Sequence, residues 1–367
     1  MAANGPERWR GAWRRRGQQG DDEADRADRA TGVPSRSVGG DQARVSPTLS
    51  ITAAEFVPLA WAAPIEVNLR VFVAHRLEPT ISDQYELRST FQVLLREVRR
   101  VFPEAIVAVC GSVSMGLNLR LPHSDLDITV EMSGAVEPRT GLIVLAQVVR
   151  SALSAEYDVQ FIDASVPIIK VQHGTTTIDV GLDQPNVFQA RDFFLAVRTM
   201  FPTLRPLVLF LKYFLLKHEC QRTWQGGIGS FLLKLMVLSH LQMHCRKSTM
   251  ALAGTHLLTF FELYGRAFRY DQHCISVRDG GMYLPKTKHF PESNREHLCV
   301  ENPFDPSIDV GQKAFNIQRI RLLFLHAYGM LLERPHRPLL DLLQPMQLSD
   351  KADPAQTSDS SRPSTTI

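Results

Sequence analysis

Cysteine is scarce and unpaired in this sequence. Its five cysteines are an odd number, and no two of them are spaced as CxxC. A disulfide-stapled domain needs paired cysteines, and a structural zinc site needs cysteines and histidines at close, regular spacing. The pattern therefore argues against both kinds of site and is typical of a protein from a reducing compartment.

Net charge and long apolar segments are also scarce. The 367 residues carry a formal charge of only +3, so a surface for nucleic acid would have to be local. The apolar segment at residues 206–216 is interrupted by Lys212 and is shorter than the ~20 residues that cross a bilayer. The N-terminal arginines are not followed by the apolar core of a secretory signal. We expect a soluble intracellular protein with no membrane partner.

Composition divides the chain into two tails and a middle. Residues 1–65 open with a segment rich in Gly, Arg, Asp, Ala and Ser, and we predict a disordered N-terminal region because little there can be buried. An arginine cluster at residues 8–16 is either solvated tail or a nuclear address or RNA-contacting arm. Residues 336–367 end in a polar Ser-, Thr-, Asp- and Pro-rich stretch, which predicts a disordered C-terminal tail.

The middle of the chain has two regions with different sequence patterns. Over residues 66–190, a helical pattern is followed by short β-like runs, which predicts a small mixed sheet covered by helices. Over residues 191–335, apolar residues recur at helical spacing, which predicts a mainly helical domain. The predicted fold class is therefore α+β, with a cleft between the two domains, where ligands usually bind.

Two aspartates carry the most informative chemistry. Asp125 and Asp127 lie two residues apart in a run that ends β-branched and apolar. On a strand, residues i and i+2 point to the same face, so these carboxylates should project together while Leu126 and Ile128 face the core. Adjacent carboxylates raise each other's pKa unless a cation neutralises them, and hard oxygen ligands suit Mg²⁺ bound with substrate phosphates. The pair predicts a divalent metal site.

Two further segments complete the predicted chemistry. Gly111 and Ser112 close a β-like run and open a predicted helix, where backbone N–H groups and a hydroxyl can hold phosphate. Asp179, in another β-like run, is the best candidate for the third carboxylate of a two-metal site for in-line phosphoryl transfer. Each piece alone is more often structural, so the prediction rests on their order and spacing together.

An ordered series of motifs carries a family resemblance. Gly-Ser at residues 111–112, Gly-Leu at 116–117 and Ser-Asp-Leu-Asp at 124–127 resemble the signature of the DNA polymerase β-like nucleotidyltransferase superfamily. Later segments make the chain similar to topoisomerase-related-function type poly(A) RNA polymerases, the nuclear enzymes that tag RNA for the exosome. Those segments are residues 201–216, 226–231, 260–265, 275–281 and 309–311.

The resemblance implies a fold and an activity. It implies a nucleotidyltransferase palm domain over residues 66–190 and a helical, poly(A)-polymerase-associated domain over residues 191–335. It implies a template-independent enzyme that adds AMP from ATP to RNA 3′ ends with two Mg²⁺ or Mn²⁺ ions. The expected partners are an RNA-binding adaptor protein and an exosome-linked complex, since the chain has no convincing RNA-recognition motif of its own. The expected location is the nucleus, the nucleolus included.

The resemblance also implies roles for individual residues. The metal-binding and catalytic triad would be Asp125, Asp127 and Asp179. The nucleotide would be contacted by a second set, consisting of Gly111, Ser112, Asn186, Lys212, Ser230, Phe231 and Asp309. In this set, the glycine and the two serines would contact phosphates.

Four of these nucleotide contacts have a structural alternative. Lys212 would neutralise the triphosphate, or its stem would carry the charge from an apolar helix to water. Phe231 would stack on the base or fill the core. Asp309 would belong to the loop that reads the base edge, or it would cap the helical run that follows. Asn186 would hold the ribose or serve as an ordinary turn residue.

Some positions depart from the family pattern. The segment at residues 116–124 is two residues longer than usual, Cys110 replaces an aromatic residue, and Val187 replaces a glycine. Ile308 and Gln312 are atypical in the base-reading loop, and an apolar side chain cannot hydrogen-bond to a base edge. These departures keep two rivals open: a terminal uridylyltransferase, and a catalytically inactive scaffold or RNA-binding subunit. Transfer to a non-RNA acceptor is disfavoured by the matching helical segments.

Overall fold

The computed structural model describes residues 59–131, 137–164, 166–184, 186–244, 252–294 and 296–345. The α-helices are α1 (Leu59–Phe72), α2 (Ile81–Val101), α3 (Gly111–Ser114), α4 (Pro138–Ala152), α5 (Val187–Met200), α6 (Leu204–Lys217), α7 (Ser230–His244), α8 (Ala253–Glu262), α9 (Lys286–His289) and α10 (Ile317–Glu333). The strands are β1 (Ile106–Val109), β2 (Leu126–Glu131), β3 (Tyr157–Ile162), β4 (Ile168–His173), β5 (Thr176–Leu182), β6 (His273–Ser276), β7 (Met282–Pro285) and β8 (Cys299–Val300). The predicted α+β class is confirmed.

A five-stranded mixed sheet forms the first half of the molecule. Its strand order is β1-β2-β5-β4-β3, in which β2 and β5 are parallel and the other neighbours are antiparallel. Leu126, Ile128 and Val130 of β2 are buried in a core that α2 and α4 also line. Because side chains alternate along a strand, Asp127, between Leu126 and Ile128, faces the opposite side, where the candidate site lies.

A second, larger core holds α1, α5, α6, α7, α8 and α10 together. It is rich in phenylalanine, and large rings such as Phe194, Phe210 and Phe324 are fully buried in it. Apolar residues surround most of α7, as expected for a helix in the middle of a bundle. This packed helical half forms one wall of the cleft, and the sheet forms the other.

The first helix differs from the sequence prediction. Residues 59–65, expected to be disordered, are the first half of α1, and Ile65 and Leu69 are fully buried. The backbone N–H of Gly254 donates to Glu66 Oε2 at 2.6 Å, which ties α1 to α8. Helix α1 thus belongs to the helical half although the sheet follows it in the chain. Its partner lies 188 residues further on, so local composition gave no sign of this burial.

The C-terminal boundary also differs from the prediction. Residues 336–345 were expected to be tail, yet a 3₁₀ turn spans Leu339–Leu343 and buries Leu342 against the helical core. The rest of the predicted tails, residues 1–58 with the arginine cluster and residues 346–367, lie outside the described residues.

A small second sheet interrupts the helical half. Its order is β7-β6-β8, with strands of two to four residues. Strands this short show too little alternation to be predicted from sequence, and the region was expected to be helical. The sheet supports the loop that carries Asp309, through an isolated bridge between Glu301 and Asp309.

In the described part of the chain, no single helix is long and apolar enough to cross a membrane. Helices α5 and α6 are long and apolar enough only when taken together, and the chain bends by 117° between them.

Candidate active site

The three predicted aspartates come from two neighbouring strands. Asp127 on β2 and Asp179 on β5 are register partners in the parallel pair, and Asp125 immediately precedes β2. Burial raises the pKa of Asp127 above its usual value, and the carboxylates of Asp179 and Asp125 raise it further. The strand register therefore holds like charges close together, an arrangement that a bound cation would relieve.

A lysine partly neutralises the third aspartate. Lys170 on β4 faces Asp179 across the sheet, and its Nζ lies 3.1 Å from Asp179 Oδ1. Burial raises the pKa of Asp179, while the ion pair and hydrogen bond with Lys170 lower it. Lys170 therefore sets part of the charge that this carboxylate presents to a ligand.

The three aspartates meet part of what a divalent metal site needs. Within the described residues, no group of three or more His, Cys, Asp and Glu side chains is placed to hold one metal ion, and Asp179 pairs instead with Lys170. The chemistry of the donors fits, however, because carboxylate oxygens are what Mg²⁺ and Mn²⁺ prefer. Burial is the largest cause of the raised pKa of Asp127, and like charge from the neighbouring carboxylates adds to it.

Gly111 is required where it stands. Its φ is +60°, and a Cβ at this position would lie 1.8 Å from Asp127 Oδ2. The backbone N–H of Cys110 donates to the carbonyl oxygen of Asp127 at 2.8 Å, which fixes the end of β1 beside the carboxylate. Burial, and then Asp127, raise the pKa of the Cys110 thiol to about 12, so the cysteine that replaces an aromatic residue stays protonated.

Lys212 reaches across from the helical half. It lies on α6, and its Nζ donates to Ser124 Oγ at 3.1 Å and approaches Ser112 Oγ at 3.5 Å. Burial lowers the pKa of Lys212, and Asp127 and Asp125 oppose that effect. The ammonium group of Lys212 therefore faces the site.

The longer segment at residues 116–124 is anchored. The N–H of Leu119 donates to Ser124 Oγ at 2.7 Å, and the guanidinium of Arg205 donates to the carbonyl oxygen of Gly116 at 3.1 Å. The extra residues are thus absorbed into a packed turn, and the strand with the aspartates begins from a fixed point.

A cavity of about 570 Å³ lies between the two halves, within the size range of small-ligand sites. Seven predicted residues line it: Gly111, Ser112, Asp125, Asp127, Lys212, Ser230 and Phe231. Three predicted residues are absent from its lining: Asp179, Asn186 and Asp309. Asp179 nevertheless adjoins the cavity through its register partner on β2.

The predicted base-stacking residue has two neighbourhoods. Phe231, at the start of α7, lines the cavity and also meets Phe194 edge-on at 6.0 Å between ring centroids.

Asn186 precedes α5 in an ordinary right-handed conformation, with φ −97°. The left-handed residue of this turn is Asp183, so a glycine at position 187 is not needed here.

Asp309 is committed to its own loop. Its Oδ1 accepts hydrogen bonds from the N–H groups of Val300 at 2.9 Å and Gly311 at 2.8 Å, and Ser293 Oγ donates to its Oδ2 at 3.2 Å. It thereby caps the 3₁₀ turn Val310–Lys313, as the structural alternative predicted. The loop still touches the site region through Phe304, whose ring lies 6.3 Å from that of Phe231.

Sequence reasoning missed three polar residues at the site. Ser124 bridges the segment before β2 to Lys212, Lys170 pairs with Asp179, and Lys234 lines the cavity from α7. Lys234 is a lone charge in an otherwise apolar helix, as Lys212 is, but its place in the cavity depends on the tertiary structure.

Two family models match the sequence. Residues 73–190 match the domain described as "Poly(A) RNA polymerase, mitochondrial-like, central palm domain", and residues 253–308 match "Cid1 family poly A polymerase". Poly(A) RNA polymerase protein 2 of Saccharomyces cerevisiae is 33% identical over 282 residues, which are 73% of this chain and 47% of that relative. Protein Trf4-2 of Drosophila melanogaster, named an inactive poly(A) RNA polymerase, is 32% identical over 233 residues, 60% of this chain and 56% of that relative.

The chain spans between a third and just over a half of the length of the curated relatives it matches. Among solved structures, the polymerase core of TRAMP, described as an RNA surveillance complex, superposes with a TM-score of 0.68 at 28% identity. That match covers 80% of this chain and 92% of the other. The similarity thus extends over both halves of the molecule and the cleft between them.

Proposed function

The chain belongs to the Cid1-type poly(A) RNA polymerase family of nucleotidyltransferases, and from this premise we propose that it is a template-independent RNA 3′-terminal adenylyltransferase. The proposed reaction adds AMP from ATP to the 3′-hydroxyl of RNA. The observation that carries it is the pairing of Asp127 with Asp179 on neighbouring strands. Asp127 also lines one cavity together with Asp125 and Lys212.

The aspartates would hold the divalent ions. Asp125 and Asp127 face the cavity, and Asp179 would join them by exchanging Lys170 for a metal ion. When bound, two such ions lower the pKa of the attacking hydroxyl and stabilise the leaving pyrophosphate. The like-charge repulsion of Asp179 and Asp125 at Asp127 would favour this binding, because a bound cation would relieve it.

The walls of the cavity would hold the nucleotide. The backbone at Gly111 and the hydroxyl of Ser112 would hold phosphate, and Lys212, whose Nζ lies 3.5 Å from Ser112 Oγ, would supply a positive charge there. Phe231, which also lines the cavity, would offer its ring to the base. With no template strand, the choice of base would come from this pocket.

We further propose that the protein acts on nuclear RNA through an RNA-binding adaptor and an exosome-linked complex. Support comes from the similarity to a polymerase core described as part of an RNA surveillance complex. The weak net charge of +3 also favours a partner that delivers the RNA.

A tailing assay tests the proposed activity. Purified full-length protein is given single-stranded RNA, Mg²⁺ or Mn²⁺, and each nucleoside triphosphate separately, beside an Asp125→Asn/Asp127→Asn variant. Extension with ATP that disappears in the variant supports the proposal. Extension chiefly with UTP would replace it by a terminal uridylyltransferase, which uses the same catalytic residues.

A second candidate is an inactive scaffold, favoured by the similarity to Trf4-2 and by the commitment of Asp309 to its own loop. If no nucleotide supports extension, titration with ATP and Mg²⁺ separates the two readings. Metal-dependent ATP binding points to a missing partner, whereas no binding points to the scaffold.

A further inference from the structure

Lys234 is a buried cation whose ammonium group contacts a thioether and lies near an aromatic ring. It lies on α7 one turn after Ser230 and is 5% exposed. Its Nζ contacts Met115 Sδ at 3.3 Å and lies 4.7 Å from the centroid of the Phe194 ring. Among the residues that the structure describes, no carboxylate lies within ion-pair distance of this ammonium group.

Such an environment is costly for a charge. A buried ammonium loses its hydration, and a thioether and an aromatic face return only part of that free energy. The neighbouring residues of α7, Leu233 and Leu235, are buried and apolar, so an apolar side chain at position 234 would suit the helix better. A cation kept in this position is expected to meet an anion that the folded chain alone does not supply.

The position of Lys234 identifies that anion. It lines the same cavity as Ser112, Lys212 and Asp127. Burial and the positive charge of Lys212 lower the pKa of Lys234 to about 8, against an opposing effect of Asp127. Both lysines therefore act on one small volume, next to the carboxylates that would hold the metal ions.

We propose that Lys234 is a second cation for the triphosphate of the incoming nucleotide, acting beside Lys212 from the opposite helix. This inference rests on the proposed nucleotidyltransferase function and assigns to α7 a phosphate contact in addition to that of Ser230. Two lysines on separate helices, α6 and α7, would bind a polyphosphate chain at two points and fix its direction in the cavity.

The competing explanation is that Lys234 only balances the charge of Asp127 inside the protein. The two explanations differ in their dependence on the number of phosphates in the ligand. A phosphate contact matters for ATP and for inorganic tripolyphosphate but little for AMP. An internal counter-charge affects all ligands alike, through the shape and charge of the cavity.

The experiment is a competition titration without RNA. ATP, AMP and tripolyphosphate displace a fluorescent ATP analogue from full-length wild-type protein and from Lys234→Met in the presence of Mg²⁺. We expect the Kd for ATP and tripolyphosphate to rise about tenfold in the variant, and the Kd for AMP to change less than about twofold. Lys234→Arg should restore most of the ATP affinity, and Lys288→Met, at an exposed lysine outside the cavity, should change nothing.

Each outcome decides between the explanations. Equal losses for ATP and AMP, or no loss for either, would overturn the assignment of Lys234 while leaving the proposed function intact. Failure of the wild-type protein to bind ATP would overturn the proposed function and the inference together. If Lys234→Met does not fold, as judged by thermal unfolding, Lys234→Gln gives the same comparison with a polar head in place of the charge.

Discussion

The aspartates of the two halves have opposite electrostatic environments. On the sheet, Asp127 is held beside Asp179 and Asp125, and these neighbours add to burial in raising its pKa. In the loop before the 3₁₀ turn Val310–Lys313, Asp309 accepts hydrogen bonds from two backbone N–H groups and a hydroxyl, so its charge is satisfied by the protein. The difference shows that the sheet keeps carboxylates available for a ligand at a cost in folding free energy, whereas the carboxylate of the loop stabilises the folded chain.

The largest expected effect comes from removing charge at the sheet. Asp127→Asn keeps the shape of the side chain and removes a proposed metal ligand, and metal ions contribute several kcal/mol to phosphoryl-transfer transition states. We expect the tailing rate to fall on the order of 10³-fold. Thermal unfolding of the metal-free variant should occur at a temperature no lower than in the wild type, since a like charge has been removed. A rate within about tenfold of wild type would contradict the ligand role.

The next effect concerns the unpaired cation on α7. The folded-state pKa of Lys234 is lowered to about 8 from 10.5, so below pH 8 its charge disfavours the folded state. As pH rises from 8 to 10.5, the folded protein has lost this proton before the unfolded chain does, and wild-type stability rises. We expect metal-free Lys234→Met to be more stable than wild type by about 1–3 kcal/mol near neutral pH.

The pH series supplies the control for this prediction. The stability difference between Lys234→Met and wild type should shrink through the interval from pH 8 to 10.5, because the variant lacks the titrating group. Urea unfolding at several pH values measures it. A difference that is constant with pH would mean that the gain comes from packing and not from charge.

The loop should respond in the opposite way to the sheet. Asp309→Ala removes the acceptor of two backbone N–H groups, and loss of a cap of this kind costs about 1–2 kcal/mol. Urea unfolding should therefore show a clear loss of stability. Asp305→Ala is the matched control, because Asp305 is exposed and its side chain accepts hydrogen bonds from Ser307. This variant should change stability by less than about 0.5 kcal/mol. Equal stability of Asp309→Ala and wild type would show that the cap is not important to the fold.

The same contrast explains what the sequence could predict. The spacing of Asp125 and Asp127 on a strand indicated two carboxylates on one face, and the burial of Leu126 and Ile128 agrees with it. That Asp179 lies opposite Asp127 depends on β5 pairing in parallel with β2, and no local pattern specifies which strands become neighbours. Asp179 was predicted as the third carboxylate from its β-like run and again from the family resemblance, and the register gives the physical reason for its position.

Other features were beyond local patterns for the same reason. Residues 59–65, the first half of α1, were predicted to be disordered because the burial of this helix depends on α8, far along the chain. The strands of the second sheet are too short to alternate visibly. Lys234 was passed over because a charge in an apolar helix has no meaning until the cavity beside it is known.

The smallest expected effect tests how far the base-reading loop takes part in selection. Ile308 replaces an asparagine expected from the family, but its side chain is 47% exposed and does not line the cavity. Its backbone is held independently, because its carbonyl oxygen accepts from Asn302 N–H at 2.9 Å. We expect Ile308→Asn to change the ratio of ATP to UTP use by less than about threefold and stability by less than about 0.5 kcal/mol. A shift of about tenfold or more in parallel tailing assays would mean that the loop closes over the base during the reaction, and that its polar groups serve the ligand as well as the fold.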